Sequence, residues 1–327
     1  MKATAIAHPN VALIKYWGKA NEELKLPMNN SVSVTLDNLH CKVTVEFSEK
    51  YKEDTATVNG KAPDKKTMER ALEQLNLIRK KAGIKMKARG AVEMNFPIGV
   101  GLASSSAGFA SLTLAAATAA GLKLDNKQLS ILSRNGSGSS CRSIYGGFVE
   151  WQKGNSENTS FAVQLADEKW FDLRVISAVV STKERMMDTR GGMKIAKETS
   201  PLYDARIKFV EKEIPIMKKA IKEKNFETIG KTMERDCMLL HATAITADPI
   251  LLYWTPETLK IMHNVRMWRA EGTECYFTVD TGANIHVICL PENEKVVAEK
   301  LKKIDGVMEV HKNKLGEGAK IIQNHLF

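Results

Sequence analysis

The sequence predicts an α+β protein of two domains, and three observations carry that prediction. The first third is written in short runs that alternate apolar and polar residues, the signature of half-buried strands. A Gly/Ser-rich turn near residue 104 then opens a long Ala-rich stretch with helical character. Past about residue 182 the chain shifts to long helical patterns, so the expected domains are residues 1–182 and 183–327. A chain of 327 residues is long enough to bury a core in each.

Each element follows from local pattern. Residues 31–36 (Ser-Val-Ser-Val-Thr-Leu) and 42–47 (Lys-Val-Thr-Val-Glu-Phe) alternate strictly, and 86–95 more loosely. Met68, Leu72, Leu75, Leu77 and Ile78 give 65–82 the spacing of a helix. Segment 104–120 is an Ala-rich helix that Gly121 stops, because glycine accepts the left-handed conformation found past a helix end. The apolar run 107–122 is interrupted by Ser111, Thr113 and Thr118 and is short for a bilayer. It reads as a helix buried against a sheet. A helix over 126–134 leads into a second Gly/Ser loop, Gly136 to Ser143, with strands near 146–151, 161–165 and 172–180. Helices are expected at 201–224, 226–241 and 256–271, then β-like runs at 275–280 and 284–290, a helix at 292–303 and short terminal strands. Strands and helices in this order suit a layered α+β sandwich.

Composition excludes several classes of protein. Hydrophobic content of 43% and charged content of 26% are those of a globular chain. Its opening residues show no long apolar segment, so no secretion signal is expected. Five scattered cysteines without CxxC spacing point to reduced thiols rather than a disulfide framework or zinc site. The net charge of +10 raises nucleic acid as a partner. However, the lysines of 208–224 and 294–303 alternate with glutamates, and no aromatic platform accompanies them. A solvated surface, with an anionic small substrate drawing charge into one cleft, accounts for the balance. No nucleic acid or membrane partner is expected.

Candidate chemistry gathers at a few places. In Gly99-Val-Gly-Leu-Ala-Ser-Ser-Ser106, glycines let successive N–H groups face one concavity, and the next helix adds its first-turn amides. Gly101, Ser104, Ser105 and Ser106 are the candidate phosphate contacts. It is not a Walker A loop, because no Gly-Lys-Ser/Thr follows. An ordinary helix cap accounts for the pattern equally well. Lys15 lies among apolar residues, where an ammonium needs an anion: either a structural partner or a ligand. Tyr16 and Lys19 offer a phenol and a cation to a terminal phosphate, whereas Trp17 reads as core. Ser137, Ser139, Ser140 and Arg142 share the second Gly/Ser loop, and the arginine fork suits phosphate or carboxylate. Arg190 stands beside two glycines at a helix start. Asp280 ends an apolar strand before Thr281-Gly-Ala-Asn284, placed to accept or orient a hydroxyl proton, although a turn-forming aspartate is common. His241 reads as a packed helix residue. No histidines fall into metal-ligand spacing, so no protein-held metal is expected.

Taken together, these segments resemble the GHMP kinase superfamily and, within it, the mevalonate diphosphate decarboxylase family. The matches are His8-Pro-Asn-Val-Ala-Leu-Ile-Lys-Tyr-Trp-Gly-Lys19, Met28-Asn-Asn-Ser-Val-Ser-Val-Thr-Leu36, Gly101-Leu-Ala-Ser-Ser-Ser106, Gly136-Ser-Gly-Ser139, Arg142-Ser-Ile-Tyr-Gly-Gly147 and Tyr276-Phe-Thr-Val-Asp280. The resemblance implies an N-terminal domain like ribosomal protein S5 domain 2 and a ferredoxin-like C-terminal domain carrying the catalytic aspartate. It implies ATP-dependent decarboxylation of mevalonate 5-diphosphate to isopentenyl diphosphate, by a cytoplasmic homodimer. By the same resemblance, Asp280 acts on the C3 hydroxyl and Lys15 stabilises charge at the reacting groups. Ser104, Ser105 and Ser106 would hold the ATP phosphates with Mg²⁺, which arrives with the nucleotide. Tyr16, Lys19, Ser137, Ser139, Arg142 and Arg190 match positions that hold the substrate's carboxylate and diphosphate. The chain departs from the family where Thr281-Gly-Ala-Asn284 replaces Ala-Gly-Pro-Asn, and where Ser140 and Cys141 replace Ala and Ser. The rival readings are a mevalonate 5-phosphate decarboxylase, a mevalonate 3-kinase and a non-catalytic nucleotide sensor.

Overall fold

The computed structural model describes residues 1–96, 101–183 and 187–327, so Gly99 and Val100 of the Gly/Ser run lie outside the described residues. Chain order begins β1 (Lys2–Ala7), β2 (Asn10–Ile14), β3 (Lys19–Asn21), β4 (Leu26–Pro27), β5 (Ser31–Thr35), β6 (Cys41–Ser48), β7 (Thr55–Val58), α1 (Lys65–Ala82) and β8 (Lys87–Met94). It continues with α2 (Ser104–Ala119), α3 (Asn126–Gly136), a 3-10 turn at Gly138–Ile144, β9 (Phe148–Trp151), β10 (Ala162–Ala166) and β11 (Arg174–Val179). The remainder is α4 (Thr189–Thr199), α5 (Tyr203–Glu223), α6 (Phe226–Ile245), α7 (Pro256–Ala270), β12 (Cys275–Val279), β13 (Ile285–Cys289), α8 (Glu294–Lys302), β14 (Glu309–Asn313) and β15 (Lys320–Ile322).

These strands form sheets ordered β15-β1-β6-β8-β7, β10-β9-β5-β2 and β12-β13-β11-β14, with β3 and β4 as a separate pair. Only β7 and β8 pair in parallel among them. Helix α2 lies on the first sheet through Ala107, Ala115, Ala116 and Ala119, which meet Ala3, Ala5, Val43 and Val45. Small side chains on both surfaces let the helix approach closely, and that sets the height of its N-terminus.

The other two sheets share a core. Val11, Leu13, Val32, Val34 and Phe148 pack with Val210 and Ile214 of α5, Ile229 and Met233 of α6, and Tyr276 of β12. This shared core holds the end of β2 against the end of β12. The architecture is the α+β, two-domain arrangement expected from the sequence. Strand β11 lies ahead of the division expected at 182, yet it sits between β13 and β14 in the third sheet. Strand β15 returns to pair with β1. Composition marks where the long helices begin, whereas strand pairing sets sheet membership.

Candidate active site

A cavity of about 550 Å³ opens between the layers and draws its walls from both halves of the chain, including Lys15, Ser105 and Arg142 from one and Arg190 and Asp280 from the other. Its first wall is the Gly/Ser run. Gly101 takes φ +89° and Ala103 φ +54°, so the backbone turns sharply into α2. Ala103 stands at the N-cap of α2 and offers no side-chain cap, and the first turn of the helix opens at the cavity through Ser104 and Ser105. A Cβ on Gly101 would stand 3.4 Å from Gly282 Cα, so this turn meets the turn that follows Asp280.

Ser104 and Ser105 line the cavity, and Ser105 Oγ lies 3.3 Å from Ser137 Oγ. Ser106 does not belong with them. It is fully buried, and its hydroxyl donates to the Ala103 carbonyl at 2.7 Å and accepts the Asn10 N–H at 3.4 Å. Unlike Ser104 and Ser105, which line the cavity, Ser106 turns its side chain into the core in this structure.

The centre of the site is an ion pair between distant parts of the sequence. Lys15 Nζ donates to Asp280 Oδ1 at 2.6 Å and to the Ala12 carbonyl at 3.2 Å. Lys15 is buried and Asp280 partly so. Burial alone would raise the Asp280 pKa, but the Lys15 charge, helped by that of Arg142, outweighs it and holds the carboxyl below its usual range. Asp280 is thus ionised at neutral pH. Burial also keeps two nearby imidazoles neutral, pushing His241 to about 3 and His286 to about 4. His241 Nε2 stands 3.2 Å from the Val279 carbonyl, in keeping with a packed helix residue.

Arg142 sits on the cavity wall inside a 3-10 turn, which is more ordered than the loop the sequence suggests. Its Nε and Nη2 donate to Asn10 Oδ1 at 3.1 and 2.9 Å, its Nε to Ser33 Oγ at 2.9 Å, and its Nη1 to Ser31 Oγ at 2.7 Å. All three partners are neutral. Burial lowers the Arg142 pKa, with Asp280 opposing that shift. A buried guanidinium among hydroxyls and an amide favours a ligand anion.

Tyr16, Lys19, Ser137, Ser139 and Arg190 also face the cavity. Tyr16 packs on Trp151 with ring centroids 4.7 Å apart, and Gly138 is required there because a Cβ would come within 2.8 Å of the Tyr16 ring. Lys19 Nζ is 2.5 Å from Glu22. Arg190 Nη2 donates to the Gly136 carbonyl at 2.7 Å, and Arg70 Nη2 reaches the same oxygen at 3.0 Å. Burial and the neighbouring Arg190 push the Arg70 pKa down to about 10. Lys25 is lowered likewise, by burial and by Lys19 and Arg190. Cations gathered this closely create a strong field for phosphate. Lys66 adds a contact across the mouth to Asp188, which caps α4.

Several of these groups are absent from the sequence reading. Ser31 and Ser33 sit on alternate positions of a strand, a period visible in the sequence but read there only as structure. Arg206 and Asp236, which the sequence reading does not single out, are fully buried beside Lys15. Among the departures from the family pattern, Thr281 lines the cavity and its Oγ1 is 2.7 Å from Thr189 Oγ1. Ser140 and Cys141 are fully buried.

Comparison with known proteins places the chain in a family. The profile of the diphosphomevalonate decarboxylase-like N-terminal domain matches residues 7–162, and that of the mevalonate 5-diphosphate decarboxylase C-terminal domain matches residues 175–323. The diphosphomevalonate decarboxylase of Saccharomyces cerevisiae is 34% identical over 324 residues, covering 93% of this chain and 82% of the relative. A structure of MDDEF in complex with MVAPP, AMPPCP and magnesium superposes with a TM-score of 0.93 at 38% identity, covering 99% of both chains. A second, from work on mevalonate diphosphate-mediated ATP binding by the mevalonate diphosphate decarboxylase of Enterococcus faecalis, gives 0.92 at 38% identity over 99% of both. With family profiles matching both halves and solved relatives superposing along nearly its whole length, this chain belongs to the diphosphomevalonate decarboxylase family.

Proposed function

We propose that this protein uses ATP to decarboxylate mevalonate 5-diphosphate to isopentenyl diphosphate. The observation that carries the reading is the Lys15–Asp280 contact of 2.6 Å inside a cavity walled by a helix N-terminus and by cations. The ATP phosphates would lie on the first turn of α2, with Ser104 and Ser105 as hydroxyl donors. Among the described residues, no three His, Cys, Asp or Glu converge to hold a metal. Magnesium would accompany the phosphates on the serine wall, beside Ser104 and Ser105, and would supply charge neutralisation there.

Arg142 takes the substrate carboxylate. Tyr16, Lys19, Ser137, Ser139 and Arg190 take the diphosphate. Ionised Asp280 orients the C3 hydroxyl and accepts its proton as the oxygen attacks the terminal phosphorus. The phosphorus–oxygen bond to ADP breaks in that step. Cleavage of the C3–O bond then releases phosphate, and the bond pair freed by departing CO₂ becomes the new double bond. Lys15 offsets the charge that collects between carboxylate and phosphoryl group. The same reading makes the protein a cytoplasmic homodimer. Its five cysteines are free and buried, as suits a reducing compartment, and no helix among the described residues is long and apolar enough to cross a membrane.

The test offers purified protein ATP with mevalonate, its 5-phosphate or its 5-diphosphate, and follows ADP and CO₂ separately. Equal release of ADP and CO₂ with the diphosphate is the expected result. ADP without CO₂ would make the protein a kinase, and a preference for the monophosphate would assign the cationic wall to a shorter ligand.

A further inference from the structure

The buried faces of α5 and α6 place Arg206 and Asp236 among apolar side chains. On α5, Arg206 shares the face of Tyr203, Val210, Ile214 and Met217; on α6, Asp236 shares that of Ile229, Met233, Cys237 and Leu240. Both charged side chains are fully enclosed, and Arg206 Nη2 lies 2.9 Å from Asp236 Oδ1. Such a pair is weak support for stability, because removing both ions from water offsets their attraction.

What the pair holds gives it another role. Asp236 Oδ2 accepts the Lys15 N–H at 2.7 Å, and Arg206 Nη2 donates to the Lys15 carbonyl at 2.9 Å. Asn29 Nδ2 adds a donor to that carbonyl at 3.1 Å. Strand β2 is at the edge of its sheet, and its pairing with β5 becomes irregular between Ala12 and Ile14. The peptide groups of Lys15 thus take partners from α5 and α6 in place of a ladder. Tyr203, one turn before Arg206, donates its hydroxyl to the Trp17 carbonyl at 2.7 Å. Both peptide groups flanking the Lys15 Cα are fixed from the C-terminal half, and that Cα decides where Nζ emerges beside Asp280.

We propose that Arg206 and Asp236 are positioning residues: the pair clamps the Lys15 main chain and so sets the Lys15–Asp280 contact for phosphoryl transfer. The proposal rests on Lys15 and Asp280 being the reacting pair. Neither clamp residue is among those lining the cavity, so the pair acts through Lys15 and not on the substrate. Displacing a reacting group by about an ångström costs on the order of a hundredfold in rate, whereas binding by the distant cations is unaffected. The clamp therefore acts on kcat.

The experiment uses the Arg206→Met/Asp236→Leu double variant, which removes both charges and leaves neither uncompensated. With ATP and mevalonate 5-diphosphate, kcat is expected to fall at least roughly tenfold while both KM values stay within about threefold. The acid limb of kcat/KM should move to higher pH as Asp280 loses its fixed ammonium. Arg206→Lys, which keeps the charge but not the fork, should recover part of kcat. Where circular dichroism shows the double variant unfolded, the same readouts on Asp236→Asn decide. A folded variant with parental kcat and an unmoved acid limb overturns the proposal, and so does a loss confined to KM. Asp280→Asn and Lys15→Met run alongside. If these also keep parental turnover, the reacting pair is misassigned; if they are inactive while the clamp variants are not, the clamp alone fails.

Discussion

At the scale of single residues, the site works by placing charges where the solvent cannot screen them. Asp280 is held ionised by Lys15 against the effect of its own burial. Lys15→Met should therefore let burial dominate, and the acid limb of kcat/KM should rise to higher pH, with kcat reduced. A pH profile of the variant checks this, and an unmoved limb would detach Lys15 from Asp280. The sign for stability is the same. In the parent, the lowered Asp280 pKa stabilises the fold above the unfolded value, and that contribution is lost as pH falls. In the variant it is absent at neutral pH. Among the described residues Arg142 is hydrogen-bonded by neutral groups and feels the field of Asp280, so it should grip the carboxylate in ground and transition states alike. Arg142→Ala is expected to raise the substrate KM and lower kcat together; an unchanged KM would argue against contact. Lys15 stood out in the sequence because an ammonium among apolar residues demands an anion, and Asp280 because it ends an apolar strand before a turn. The different setting of Ser106 was not legible, because a serine triplet looks uniform in sequence while helical geometry turns its members to different faces.

Elements with a clear period were readable, and those without one were not. The strands β5 and β6 and the helices α1, α2 and α7 fall within a residue or two of their expected spans. By contrast, β2 is buried at every position and shows no alternation, and β7 is a short, half-exposed strand. The second Gly/Ser loop became a 3-10 turn because Ser140 donates to the Ser133 and Ser137 carbonyls, at 2.7 and 2.6 Å, bonds no pattern announces. The connection after β2 depends on Gly18, which takes φ +95° and would place a Cβ 1.8 Å from Tyr203 Oη. Gly18→Ala should cost roughly 3 kcal/mol or more, from strain together with loss of the Tyr203–Trp17 bond. Gly60, at φ +76° with nothing within 4 Å, is the control, and Gly60→Ala should cost only about 1 kcal/mol. Denaturant midpoints compare the two, and equal losses would remove the steric account.

For the whole molecule, the Lys15–Asp280 contact depends on one core shared between the halves. Sheet β10-β9-β5-β2 packs on α5 and α6, and α6 in turn lies against β12, whose end carries Asp280. Sequence composition separates the halves near 182, but it carries no record of β11 and β15 crossing to the other side, since pairing partners far apart leave no local trace. The phosphate wall, the ammonium and the carboxylate therefore come together only in the folded chain. The most direct test of that convergence is Asp280→Asn, assayed with ATP and mevalonate 5-diphosphate for ADP and CO₂, beside a nucleotide-binding titration. We predict unchanged ATP binding and turnover lower by roughly a thousandfold or more, since proton handling and positioning are lost together. Turnover close to that of the parent protein would contradict the account.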